Sequence, residues 1–136
     1  MKFIAKAINR LRQSLKHKSK VHIGRAAENY AAEFLNKEGF RTVEKNFIAR
    51  GGEIDLICSK NSKVYFFEVR YRSSKSFGSA GESVSSLKIY RLYRAISQWI
   101  LQRGLPSEFI GGVYAICIDM PAGRAEPVVK LVSLRV

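Results

Sequence analysis

Cysteine occurs only twice in this sequence, at Cys58 and Cys117, and histidine only twice, at His17 and His22. That is too few for a disulfide framework, and the spacing does not suit a zinc site. Each cysteine sits inside an apolar, strand-like run, so both read as buried, reduced thiols of a cytoplasmic protein. Long apolar runs are missing as well. The longest stretch without a charged residue, 109–118, is ten residues, too short to span a bilayer. Lys6 interrupts the apolar start Phe3-Ile4-Ala5, so no signal-peptide core forms. No internal repeat and no low-complexity linker interrupts the chain.

Acid is the other scarcity. Against 24 Lys and Arg there are 11 Asp and Glu, a formal net charge of +13 over 136 residues. Residues 1–20 hold seven of the basic residues and no acid, and 21–136 still carry a surplus of six. The basic character therefore belongs to the body as well as to the tail, which favours a polyanionic partner such as nucleic acid or an anionic membrane surface. Hydrophobic residues make up 46% of the chain, enough for one compact domain with a real core. We divide the chain into a basic amphipathic N-terminal arm, 1–20, and a domain, 21–136.

Hydrophobic spacing gives the elements. Ile4, Ile8, Leu11 and Leu15 form one helical stripe in 2–16, with Lys6, Arg10, Arg12 and Lys16 on the remaining surface. Such a segment docks on the domain, touches phosphates, lies on a membrane, or stays a solvated arm. A second helix is predicted over 24–37, stopped by Gly39. Three strand-like stretches follow, 40–49, 53–59 and 64–71, the last two dense in Ile, Leu, Val, Tyr and Phe. A Ser- and Gly-rich loop, 72–81, leads to a long helix capped by Ser85 or Ser86 and ended by Gly104. Strands over 112–118 and 127–134 flank a turn at Pro121-Ala122-Gly123. The strand–helix–strand passage implies a parallel crossover. The expected class is α/β, a mixed central sheet flanked by helices in the order αβββαββ.

The chemistry is concentrated in Gly51-Gly52-Glu53-Ile54-Asp55-Leu56-Ile57 and Phe66-Phe67-Glu68-Val69-Arg70. Asp55 and Glu68 each interrupt an apolar strand, which is costly without compensation. If the strands form an antiparallel hairpin turned at Asn61-Ser62, Lys60 opposes Lys63. Asp55 then faces Glu68 and Glu53 faces Arg70, with Cβ atoms of facing residues roughly 5 Å apart. Two facing carboxylates repel, and a hard cation such as Mg²⁺, held by one or two carboxylates and several waters, resolves the repulsion. It can also activate water and offset charge on a phosphate. The plainer alternative is an exposed face on which Glu53 and Glu68 pair with Arg70 and nearby lysines.

The stretch Gly24-Arg25-Ala26-Ala27-Glu28, the segments GGEIDLI and FFEVRYR, Phe77 through Val84, and Lys88 together resemble the YraN family of small bacterial proteins. The resemblance covers most of the chain, about 24–118. The family is regarded as distantly related to archaeal Holliday junction resolvases within the PD-(D/E)xK nuclease superfamily. This resemblance implies a restriction-endonuclease-like core and a metal-dependent endonuclease using Mg²⁺ or Mn²⁺, with branched or junction DNA as the substrate it suggests. It implies that Asp55 and Glu68 are the principal metal ligands, with the Val69 carbonyl beside them and Glu28 as a further acidic ligand, direct or through water. Arg70 would stand where the superfamily usually has lysine. Arginine keeps its proton, so Arg70 cannot be a general base, although it can orient the attacking water or stabilise the transition state. At Phe109-Ile110 the family commonly has Phe-Asp; that acid is absent here.

Arg70, Tyr71, Arg72 and Lys75 follow the acidic pair, and Phe77 lies just beyond. Lys88, Arg91 and Arg94 recur every three residues along the long helix. Arg72, Lys75, Lys88, Arg91 and Arg94 are the candidate phosphate contacts, which would bind without reading sequence. Burial is the better account of Tyr71 and Phe77, although either could stack on an unpaired base. Three readings follow: a metal-dependent endonuclease acting on DNA, with a homodimer implied by the resolvase resemblance; a non-catalytic nucleic-acid-binding protein with a decayed nuclease site; and a membrane-peripheral adaptor anchored by 2–16.

Overall fold

The computed structural model describes residues 2–17, 20–73, 84–120 and 126–135. The predicted turn at Pro121-Ala122-Gly123 and the loop residues Lys75 and Phe77 lie outside them. The described elements run α1 (Lys2–His17), α2 (Lys20–Lys37), β1 (Arg41–Ala49), β2 (Gly52–Lys60), β3 (Lys63–Ser73), α3 (Ser86–Arg103), a 3-10 turn (Ser107–Phe109), β4 (Ile110–Met120) and β5 (Val128–Ser133). The five strands form one mixed sheet in sequence order. Its β3–β4 pair is parallel and the other pairs are antiparallel, so the expected crossover through α3 is present.

Helices cover both faces of this sheet. On one face α2, with α1 behind it, buries Ala27, Ala31 and Leu35 against Leu56, Cys58, Phe67, Ile116 and Ile118. On the other, Leu92, Ala95, Ile96 and Trp99 of α3 meet Ile54, Ile57, Phe66, Ala115 and Cys117. The two cysteines are fully buried on opposite faces and are free thiols. Burial pushes the Cys58 thiol up to about 11, so it is unreactive at neutral pH.

The N-terminal segment is part of this packing. Leu11 and Ala7 of α1 are buried in the same core as α2, and Ile8 packs against it. The apolar stripe found in the sequence is thus used, at least at Ile8 and Leu11, inside the protein. The side chains of Ile4 and Leu15 lie outside the described set. No helix among the described residues is long and apolar enough to cross a membrane.

Local chemistry explains where the elements stop. Ser85, extended at φ −76° and ψ 157°, accepts the Lys88 N–H at 3.2 Å and caps α3. Gly104, left-handed at φ 60°, ends it. The hairpin turn is the anticipated two-residue one: Lys60 pairs with Lys63, and Asn61 and Ser62 both have positive φ, 51° and 65°. At the other end of α3, Trp99 Nε1 donates to Glu44 Oε1 at 3.1 Å and Arg103 Nη2 lies 2.7 Å from the same oxygen. Arg103 also covers the Trp99 ring at 4.3 Å. These contacts fasten the helix to β1. Gly52 lets the β1–β2 turn press on α3, because a Cβ there would come within 2.0 Å of the Arg91 carbonyl oxygen.

Candidate metal centre and nucleic-acid interface

The site forms where the β2–β3 ladder opens. Cα pairing runs from Lys60–Lys63 to Leu56–Phe67 and stops there. Asp55 and Glu68 would be the next pair, and Glu53–Arg70, expected from strict hairpin geometry, does not form. The cause is a slip in β2. Ile54 and Ile57 both pack toward α3, whereas Leu56 and Cys58 pack toward α2. A regular strand would put 54 and 56 on one face, so the alternation shifts by one residue at Asp55. Across the β1–β2 ladder Asn46, with φ 52°, lies between the Lys45–Leu56 and Phe47–Ile54 pairs, level with Asp55. Asn tolerates this left-handed conformation better than most residues, and the two strands bend together.

The slip turns the Asp55 carboxylate toward β3, where Oδ2 accepts the Val69 N–H at 2.8 Å. A side chain thus satisfies a strand donor that the ladder leaves open. Glu68 is only 4% exposed and lies within hydrogen-bonding reach of Asp55. Burial first, and the Glu68 charge second, push the Asp55 carboxyl up to about 8, despite the opposing Val69 hydrogen bond. Two carboxylates cannot both be ionised cheaply here without a cation.

Other predicted residues distribute around this pair. Glu28, on α2, lines a hollow of about 230 Å³ with Gly24, Val69 and Tyr71. Burial raises its pKa, Glu53 and Glu68 add to the rise, and a side-chain hydrogen bond from Asn46 opposes it. Glu68 instead lines a larger cleft of about 580 Å³ with Glu53, Lys88, Arg91, Gly52 and Ile48. The Lys88 ammonium sits 3.0 Å from Glu68 Oε1. Glu28 and Glu68 thus open into different hollows, with Asp55 at the break between them. Among the described residues no three His, Cys, Asp or Glu side chains converge on one point as they stand. The adjacent pair is Asp55–Glu68, and Glu28 acts on it at longer range.

The basic residues divide too. Arg91 lines the large cleft, while Arg94 lies over Gly51 and the Tyr90 ring, 5.9 Å from its centroid. Arg70 and Arg72 pair along β4 with Cys117 and Asp119, and the Arg70 charge acts on the Cys117 thiol. Tyr71 is part-buried and its hydroxyl is buried with no hydrogen-bond partner among the described residues, which agrees with burial over base stacking as its reason. Sequence reading did not single out Asn46, whose only signal is an Asn in a strand-like run. It also did not find the exposed apolar rim of the cleft, Ile48 at 77% and Leu87 at 57% exposure.

The donor set fits a hard divalent cation. It is all oxygen, its two carboxylates are adjacent, and the neighbouring cleft has room for several waters. Asp55 and Glu68 are the residues that would hold it.

The fold and the acidic pair define an α/β domain with a paired-carboxylate site at the break in a mixed sheet. Residues 27–120 match the model of the uncharacterised protein family UPF0102. A UPF0102 protein of Hahella chejuensis is 46% identical over 85 residues, covering 62% of this chain and 68% of its own. One from Colwellia psychrerythraea is 40% identical over 92 residues, 68% and 71% of the two chains. One from an Anaeromyxobacter species is 41% identical over 102 residues, 74% and 77%. The chain belongs to the UPF0102 family, the YraN family of the sequence resemblance.

Proposed function

We propose that this protein is a metal-dependent endonuclease that hydrolyses phosphodiester bonds in DNA. The observation that carries the reading is the Asp55–Glu68 pair. Two carboxyls lie side by side at a break in the sheet, Glu68 buried and Asp55 half-buried, with desolvation and its neighbour raising the Asp55 carboxyl to about 8. Folding alone gives no reason for that arrangement, whereas a Mg²⁺ or Mn²⁺ ion would relieve it. When bound, the ion supplies activation of a water and neutralisation of charge on the phosphate.

The protein's own groups do the rest. Asp55 and Glu68 fix the place of the ion, and the Val69 N–H holds Asp55 in its rotamer. Glu28 adds negative charge from the α2 side, as a ligand through water. Arg91 and Arg94 on α3 hold backbone phosphates, with Arg72 and Lys75 as further contacts. Arg70 contributes field and is not a general base. Selectivity for branched DNA and a homodimer that pairs two sites both rest on the resemblance to resolvases.

The second reading, a nucleic-acid binder with a decayed site, is favoured by one observation: among the described residues no third acid converges with Asp55 and Glu68. The test is cleavage of labelled single-stranded, duplex, flapped and four-way-junction DNA in Mg²⁺, Mn²⁺ or EDTA. Metal-dependent cutting of any member supports the nuclease. Binding without cutting in all three conditions supports the binder.

A further inference from the structure

The ion pair between Lys88 and Glu68 is lopsided. Glu68 is 4% exposed and rooted in the middle of the sheet, whereas the Lys88 side chain is 46% exposed at the start of α3. Ser85 fixes the Lys88 backbone by accepting its N–H at 3.2 Å, so only the side chain is left to move. Beside it lies the 580 Å³ cleft, with Arg91 one turn further along the same wall. One end of the pair cannot move, and the other is a flexible stem with water and open space around it.

From this geometry we infer that Lys88 is the resident counter-ion of the acidic pair and its catalytic lysine. The inference rests on the metal-site reading above. In the metal-free protein the Lys88 ammonium sits on Glu68 and neutralises part of the buried charge. With a divalent cation at Asp55 and Glu68, the ammonium is repelled at that distance. Lys88 then swings into the cleft beside Arg91 and contacts the scissile phosphate, where a fixed positive charge stabilises the transition state. Arg70, the residue aligned with the usual lysine position, lies on β3 beside β4 and exerts its charge at Cys117. The ammonium in contact with Glu68 belongs to Lys88, on α3.

The test compares the wild type with Lys88→Met, Lys88→Arg and Asp55→Asn, all checked by circular dichroism for an unchanged fold. The first readout is Mn²⁺ affinity by electron paramagnetic resonance without nucleic acid. Loss of the competing ammonium tightens Mn²⁺ binding in Lys88→Met on the order of tenfold, and Lys88→Arg stays near the wild type. The second is single-turnover cutting in saturating Mn²⁺, which falls roughly 100-fold or more in Lys88→Met and is partly regained in Lys88→Arg. Unchanged Mn²⁺ affinity and unchanged cutting in Lys88→Met, with Mn²⁺ binding lost in Asp55→Asn, would overturn the role of Lys88 and leave the metal site standing. Tighter Mn²⁺ with undiminished cutting overturns its catalytic part. Equal Mn²⁺ binding by all four proteins defeats the metal reading itself, and Lys88 with it.

Discussion

Replacing Asp55 by Asn removes one of the two buried carboxyls but keeps an oxygen that can accept the Val69 N–H, now at 2.8 Å. In the folded protein burial and Glu68 hold the Asp55 carboxyl near 8; in the unfolded chain it lies at about 3.9. Below about pH 4 both states keep the proton, so the charge imposes no cost on folding. Between pH 4 and 8 the unfolded chain releases a proton that the folded one retains, and stability falls as pH rises. Above the folded pKa the cost is constant. Each unit of difference is about 1.4 kcal/mol, which sets an upper bound of about 6 kcal/mol. The neutral Asn carries no such charge, so a gain of up to about 5 kcal/mol for the variant at pH 8 in EDTA is expected. Urea unfolding of both proteins from pH 4 to 9 measures it. The variant should match the wild type at pH 4 and exceed it increasingly toward pH 8. Saturating Mg²⁺ should stabilise the wild type and leave the variant unchanged. A variant less stable at every pH, or a difference independent of pH, would refute the reasoning.

Three further outcomes follow from other contacts. Gly52→Ala should destabilise by at least about 2 kcal/mol, measured by urea unfolding, because its Cβ would meet the Arg91 carbonyl oxygen at 2.0 Å. Glu44→Ala should cost about 1–2 kcal/mol by the same measurement, since the Trp99 N–H, in a side chain only 3% exposed, loses its acceptor and Arg103 its partner. Arg91→Ala should weaken DNA binding across all sequences and lower the slope of affinity against salt by about one, read by fluorescence anisotropy at several salt concentrations, with Mn²⁺ affinity kept.

Where local rules governed the chain, its sequence was legible. Ser85 and Gly104 bound the long helix as their capping chemistry demands. Asn61-Ser62 closed the hairpin in the anticipated register, which holds from Lys60–Lys63 to Leu56–Phe67, with both turn residues at positive φ. The parallel crossover followed from strand, helix and strand in succession. Extrapolating that register to Glu53 and Arg70 failed, since the alternation of β2 slips at Asp55. That slip depends on the partner strand, where Asn46 takes the left-handed conformation, and no periodicity within β2 announces it. Lys88 looked like one member of a basic stripe. Its contact with Glu68 arises only when α3 folds back over the sheet, a tertiary fact that spacing along a helix does not carry. Glu28 was found only through family resemblance, because one acid on a helix has no local signal. Its place in the hollow beside Val69 and its electrostatic coupling to Glu68 come from the packing of α2.

The central claim is that the buried acidic pair works on DNA through a divalent cation. It is tested most directly by single-turnover cutting with the wild type, Asp55→Asn and Glu68→Gln in Mg²⁺, with DNA binding measured on the same samples. All three proteins should bind DNA with similar affinity, the wild type should cut, and each variant should lose cutting by roughly a thousandfold. Cutting that survives in both variants, or three proteins that bind alike and never cut, would contradict it.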